Sequence, residues 1–390
     1  MDLSAHFHAL DAFLQGTQPL WSPVPYRDAT PAWLQNRADI AHSLLALDDN
    51  SLARLQEDPA VLEALVASWV PGLGEALALS RFPEWPRLRQ PTQPERLDRF
   101  VPGRKWQQVE ALVASLPEVS LPRVEWCAGK GHLGRLMSAQ WPEHPVTSLE
   151  RDAQLVAAGQ AASRAFGLAQ HFVQADVLAL PDSRLLSGRH VVALHACGDL
   201  HQHLVLQAHA LDIAALDLVP CCYHLTNHPR YQSLLGRLYL DRDGLRLPLT
   251  ETVTARGYDR RQRLQEAVWR LGFDALLQVV TGCTIYQPQL PIPKAWLRGS
   301  FEDFCRAMAE RAGIKLPSSA NLADAEARGQ ARHARTERLS LLRLAFRAPL
   351  EAWLVLDKAL RLEAQGYEVA VGRFCARALT PRNLLVHARR

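Results

Sequence analysis

The stretch 124-VEWCAGKGHLG-134 runs a short strand-like segment into a turn that holds Gly129, Gly131 and Gly134 in G-x-G-x-x-G spacing at the mouth of a helix. Glycine lets a backbone turn sharply and approach a ligand closely, and a helix N-terminus offers N–H groups with no partner inside the helix. Alone, the spacing serves a plain strand-to-helix connection as readily as a binding loop. Two carboxylates outside it add weight. Glu150 ends the next strand about 20 residues on, where an acid accepts hydrogen bonds from ribose hydroxyls. Asp176 ends a third strand, in 172-FVQAD-176, placed to meet an adenine amino group.

Working outward, short β-branched or apolar runs alternate with helical patterns, the signature of βαβ units and a parallel sheet. Strands are expected at 123–127, 146–150, 171–176, 190–196 and 214–221. A long amphipathic run over 348–364, stopped by Gln365-Gly366, precedes two alternating segments, 367–375 and 383–388. The Thr-Pro turn between them is too short for a crossover helix, so they must pair antiparallel. The expected fold class is therefore α/β, a doubly wound sheet with an antiparallel terminal hairpin.

Upstream, apolar residues recur at helical spacing, as in 51-SLARLQEDPAVLEALVASWV-70, so residues 1–100 read as a helical N-terminal region. The segment 86-PRLRQPTQPERLDRFVPG-103 is rich in proline and charge and marks a connector before a helix at 105–116. Residues 101–390 then form the sheet domain. The alternation stops after Tyr223, so an insertion of about 223–343 follows the fifth strand, with one helix at 260–271 ended by Gly272.

The composition of the 390 residues, 48% hydrophobic and 22% charged, is that of a globular protein and excludes a disordered or fibrous chain. The formal net charge of +4 permits a nucleic-acid partner without requiring one. Seven cysteines, odd in number and mostly inside apolar runs, do not make a disulfide scaffold. The start, MDLSAHFHALDAF, has no basic segment leading an apolar one, and no apolar run approaches the roughly 18–20 residues of a membrane span. A cytoplasmic protein with no membrane partner is expected.

Four segments together carry a family likeness: 127-CAGKGHLG-134, 195-HACGDL-200, 220-PCCYHL-225 and 380-TPRNLLVHA-388, with the helix 348-APLEAWLVLDKAL-360. From about residue 104 to its end the chain resembles the methyltransferase-like family, which includes eukaryotic methyltransferase-like proteins and bacterial relatives. More distantly it is similar to a tRNA ribose 2′-O-methyltransferase, without that enzyme's zinc-finger spacing. The resemblance implies a class I methyltransferase sheet, S-adenosylmethionine as cofactor, and methyl transfer as the activity. The first hundred residues carry no such likeness.

The residues expected to hold the cofactor are Cys127, Ala128, Gly129, Lys130, Gly131, Glu150, Asp176 and His195. Methyl transfer is an in-line displacement, so the protein mainly aligns the nucleophile and removes its proton where needed. Asp199 and His195, at the exit of the fourth strand, are the catalytic candidates. A turn-and-cap role for Gly198-Asp199 and a hydrogen-bonded structural role for His195 are the plainer alternatives. Cys222, Tyr223 and His224, after the fifth strand, are candidates for the substrate side. Lys105 is placed to meet the methionine carboxylate.

Cys127, Cys197, Cys221 and Cys222 all fall at strand exits expected to be neighbours, with His132, His195 and His224 nearby. Thiolate and imidazole are zinc ligands, yet adjacent Cys221 and Cys222 should point to opposite faces of a strand. No metal site is therefore expected. The leading reading is an S-adenosylmethionine-dependent methyltransferase with RNA as acceptor, and a protein or small-molecule acceptor is the alternative. A binding module that keeps the cofactor fold without catalysis and, more remotely, a nicotinamide-dinucleotide oxidoreductase are the readings from other classes.

Overall fold

The computed structural model describes residues 2–91, 97–99, 101–180, 183–250 and 257–390, and for 257–260 the backbone alone. Part of the connector expected at 86–103 lies outside the described residues. The chain forms two compact units: Met1–Gln15, Glu75–Leu249 and Ala348–Arg390 in the first, Gly16–Gly74 and Thr250–Arg347 in the second. The units divide both the region 1–100 and the stretch 223–343, neither of which is a unit by itself. Helical periodicity tells which face of a segment is buried, not which other segment buries it.

The first unit is built on one sheet. Its strands are β1 (Arg123–Trp126), β2 (Val146–Glu150), β3 (Gln170–Gln174), β4 (His190–Cys197), β5 (Ala215–Cys221), a detached pair β6 (Tyr231–Gln232) and β7 (Tyr239–Leu240), then β8 (Glu368–Arg373) and β9 (Leu384–Arg389). The order across the main sheet is β3-β2-β1-β4-β5-β9-β8. β1 to β5 run parallel, β9 pairs antiparallel with β5, and β8 pairs antiparallel with β9. This is the doubly wound sheet with a terminal antiparallel hairpin, and every expected strand lies within a residue or two of its place. β5 is buried at every position, as a parallel strand covered on both faces must be.

The helices Gly103–Ser115 and His132–Gln140 pack on this sheet through Trp106, Val109, Leu112, Leu133, Leu136 and Met137, against Val192, Val219 and Leu385. The outer edge at β8 is not left open. Trp85 N–H donates to the Arg373 carbonyl and Arg373 N–H to that of Pro83, so a short extended piece covers part of an edge that would otherwise invite another chain.

In the second unit, the helix expected at 260–271 runs from Gly257 to Thr281, straight through Gly272. A Cβ at Gly272 would press on the Phe301 ring at 2.8 Å and on the Ala325 carbonyl oxygen at 3.0 Å. One at Gly329, on the helix Leu322–Leu344, would meet the Gly272 backbone. These glycines let two helices cross closely. A glycine that ends a helix and one that admits a neighbouring helix look alike in a single sequence. Trp269, Phe273, Phe301, Phe304 and Met308 fill the core beside that crossing.

Candidate active site

The glycine loop leaves β1 with Cys127 at φ 55°, Gly129 at φ 58° and Gly131 at φ 68°, all left-handed. The three glycines have different reasons to be there. A Cβ on Gly129 would meet nothing within 4 Å, so its backbone borders open space. On Gly131 it would collide with the Phe172 ring and the Gln170 amide, and on Gly134 with Gln170, Glu125 and Ser148. Gly131 and Gly134 are thus needed for close helix-to-sheet packing, and of the three only Gly129 borders open space.

Under the loop lies a buried polar chain that the sequence reading did not find. Gln170 Nε2 donates to the Gly131 carbonyl at 3.0 Å and to Ser148 Oγ at 2.8 Å, and Ser148 Oγ donates to Glu125 Oε2 at 2.7 Å. Burial pushes the Glu125 carboxyl up to about 7, against the hydrogen bonds of Ser148 and of the Gly134 and Leu133 N–H groups, which oppose the rise. Those two N–H groups are donors of the helix N-terminus expected to be open to a ligand. They are satisfied inside the protein instead.

Glu150 closes β2 beside this loop. Its Oε2 accepts from Gly129 N–H at 2.8 Å, and its Oε1 accepts from Arg151 N–H at 2.8 Å and Asp152 N–H at 2.9 Å. Asp176, just after β3, accepts from Leu178 N–H at 3.0 Å and so caps the short turn that follows.

At the exit of β4 the backbone is irregular. His195 sits at φ 61°, and the register with β5 shifts between Leu194 and Ala196, which brings Cys197 level with Cys221. His195 Nε2 lies 3.0 Å from the Gln108 amide oxygen, an atom that only accepts, so Nε2 carries the proton. Burial, with Lys105 nearby, lowers its pKa to about 4 and keeps the ring neutral near pH 7. Gly198 follows at φ 50°, and a Cβ there would strike the Leu225 carbonyl. Asp199 opens the helix Asp199–Gln207, and its Oδ2 accepts from Asn227 N–H at 2.8 Å. Gly198 and Asp199 together hold the loop that follows β5.

These strand ends enclose a cavity of about 530 Å³ at the carboxyl edge of the sheet, the edge where open α/β sheets bind ligands. Cys127, Glu150, Asp176, Cys197, Asp199 and His224 line it, with Leu149, Val177 and Leu178 as its apolar wall. Arg151, Arg242 and Arg246 also line it. The size falls in the range of roughly 300–1,000 Å³ typical of small-molecule sites.

Residues 104–229, which contain the loop, both acids and Asp199, match a family model described as a methyltransferase domain. That segment is similar to a methyltransferase domain. No curated protein matches the chain. Among solved structures, the glycopeptide N-methyltransferase MtfA in complex with (S)-adenosyl-L-methionine aligns at 19% identity, over 38% of this chain and 71% of its own, with a TM-score of 0.24.

A methyltransferase domain takes S-adenosylmethionine as its cofactor, and the residues present fit that molecule. Glu150 and Asp176 offer carboxylate acceptors to hydroxyl and amino groups, and Leu149, Val177 and Leu178 offer an apolar wall to a flat base. Of the other residues expected in the methyltransferase domain's site, Ala128 lines a smaller cavity of about 50 Å³ with Lys105, Glu125 and Cys127. Tyr223 is buried and borders a separate cavity of about 300 Å³. Gly129, Lys130, Gly131, His195 and Cys222 do not line the 530 Å³ cavity.

The sequence reading missed Arg151, Arg242 and Arg246. Arg151 directly follows Glu150, a signal available from the start. Arg242 and Arg246 lie four apart on the helix Arg242–Arg246, capped by the Asp241 carboxylate, inside a stretch read only as insertion. Gly198→Val should collapse the cavity wall by pushing Leu225 away. Its expected result is a loss of S-adenosylmethionine binding of at least about tenfold with a stability change of about 1–3 kcal/mol, read by calorimetry and thermal melting on the same sample.

Cys197 and Cys221 meet at neighbouring strand exits, as expected, and Cys222 joins them although strand alternation puts it on the opposite face. Cys222 stands at φ 45°, so strand alternation ends at Cys221 and the second side chain turns back toward the first. The ligand atoms of Cys197, Cys221 and Cys222 all lie within 4.8 Å of one another. Hydrogen bonds with Cys197 and Cys221 lower the pKa of Cys222, and those with Cys197 and Cys222 push Cys221 up.

Proposed function

We propose that this protein is an active S-adenosylmethionine-dependent methyltransferase whose acceptor is RNA. The observation that carries the reading is the placement of Glu150 and Asp176 on one cavity at the carboxyl edge of the sheet, with Glu150 holding the Gly129 N–H of the glycine loop. The cofactor, when bound, supplies a methyl group on a sulfonium, and the rest of the work is alignment. Glu150 and Asp176 hold the nucleoside end. Asp199 and His224, which line the same cavity beyond Cys197, face the acceptor side and position its nucleophile.

The RNA acceptor is supported by the three arginines, Arg151, Arg242 and Arg246, that line this one cavity, where guanidinium groups suit phosphate oxygens. The test supplies labelled S-adenosylmethionine to the purified protein with total RNA, a protein extract and a small-molecule extract in separate reactions. Label in RNA, reduced at least about tenfold by Arg242→Glu and weakened by added salt, is the expected result. Label confined to the protein or small-molecule fraction would overturn the acceptor. Bound cofactor with no transfer to any fraction would favour a binding module.

A further inference from the structure

The sulfur atoms at the ends of β4 and β5 make a site of their own. Cys197 and Cys221 are register partners on adjacent parallel strands, with their Sγ atoms 3.3 Å apart, and Cys222 completes a triangle whose ligand atoms all lie within 4.8 Å. Tetrahedral zinc with Zn–S bonds of about 2.3 Å sets its sulfurs about 3.8 Å apart, a separation that falls between these two observed limits.

Two departures from regular strand geometry bring the thiols together. The shift at His195 aligns Cys197 with Cys221, and the left-handed backbone of Cys222 returns its side chain to the cluster. Left-handed non-glycine residues are unfavourable, and strain of this kind persists where the surroundings over-determine it. Buried cysteine packing needs neither departure. Cys197 borders the 530 Å³ cavity, so the side of the triangle at Cys197 is reached from there. His224 lines that cavity too, and its Nδ1 is buried without a hydrogen-bond partner.

We infer that Cys197, Cys221 and Cys222 bind one zinc ion through three thiolates, with the fourth coordination position open to the cavity. Three protein ligands and one exchangeable position are the pattern of a catalytic rather than a structural zinc site. Binding releases the thiol protons to solvent, so zinc uptake must be accompanied by proton release.

The full-length protein, purified under reducing conditions without chelator, is analysed for metal and then stripped and titrated with zinc and with cobalt as a spectroscopic probe. The expected result is one zinc per chain, and a sulfur-to-cobalt charge-transfer band with the intense visible bands of tetrahedral cobalt. Cys197→Ser and Cys222→Ser should each weaken zinc binding at least about 100-fold and remove the charge-transfer band, while Cys283→Ser and Cys375→Ser change neither. Cys222 is half-buried, so its variant serves if Cys197→Ser fails to fold, as checked by circular dichroism. Failure to load zinc while the free thiols are fully titratable would overturn the site. So would a Cys197–Cys221 disulfide in the reduced preparation, or an equal loss of zinc in the Cys283→Ser control.

Discussion

Asp217→Ala should lower the free energy of unfolding by about 3–5 kcal/mol, the range for breaking a buried pair by removing one partner. Asp217 lies in the middle of β5 with none of its surface exposed. Its Oδ2 is 2.6 Å from His190 Nε2 on β4, and its Oδ1 is 3.0 Å from His387 Nδ1 on β9. The carboxylate thus ties the parallel part of the sheet to its antiparallel ending. Burial pushes its pKa up, but the hydrogen bonds from His190 and His387 outweigh burial and hold it at about 2.

The pH dependence follows from that shift. A carboxyl held below its ordinary value of 3.8 contributes stability that is full above that value and is lost as pH falls through about 2. The amount is about 2–3 kcal/mol at about 1.4 kcal/mol per pKa unit. His387 moves the other way. Burial lowers its pKa, yet the hydrogen bond and charge of Asp217 outweigh burial and leave it raised above 6.5. Its contribution is full below pH 6.5 and is lost as pH rises through the folded-state value. Stability from this cluster is therefore greatest between about pH 4 and pH 6.5, and Asp217→Ala should flatten both limbs. Urea titrations across pH 2–8 measure this. A variant within about 1 kcal/mol of wild type and with an unchanged pH profile would remove Asp217 from this role.

The sheet was legible because its signal is local. Each strand is a short apolar run beside a turn, and the pair 367–375 and 383–388 can close in only one sense. Glu150 and Asp176 were legible for the same reason, as acids at strand ends. What could not be read depended on tertiary neighbours or on single backbone angles. Gly272 reads as a helix end because nothing in its own sequence announces the helix that crosses it. Cys222 was placed on the wrong face because alternation assumes a regular strand, and its left-handed φ violates that assumption. Arg242 and Arg246 were passed over since helical spacing inside an insertion does not say which cavity the helix reaches.

Glu150→Ala should weaken S-adenosylmethionine binding at least about 100-fold, or about 2.7 kcal/mol. The carboxylate does two things at once. Through Gly129 N–H it fixes the one glycine of the loop whose backbone borders open space, and through Arg151 and Asp152 N–H it fixes the turn that begins the next helix. It also lines the cavity, where the remaining lone pair on Oε2 is available to a ligand hydroxyl. Hydrogen bonds to a charged partner contribute about 1.5–3 kcal/mol each, so losing one ligand contact together with the loop anchor accounts for the effect. Glu150→Gln keeps one acceptor oxygen but turns an NH₂ donor toward N–H groups that are themselves donors, and should fall between wild type and Glu150→Ala. Calorimetry with S-adenosylmethionine, and with NAD as the competing dinucleotide, separates the possibilities. Wild type should bind the first and not the second. A Glu150→Ala protein that melts like wild type and binds within threefold of it would place the cofactor elsewhere than beside Gly129, whereas NAD binding by wild type would assign the same loop to a dinucleotide.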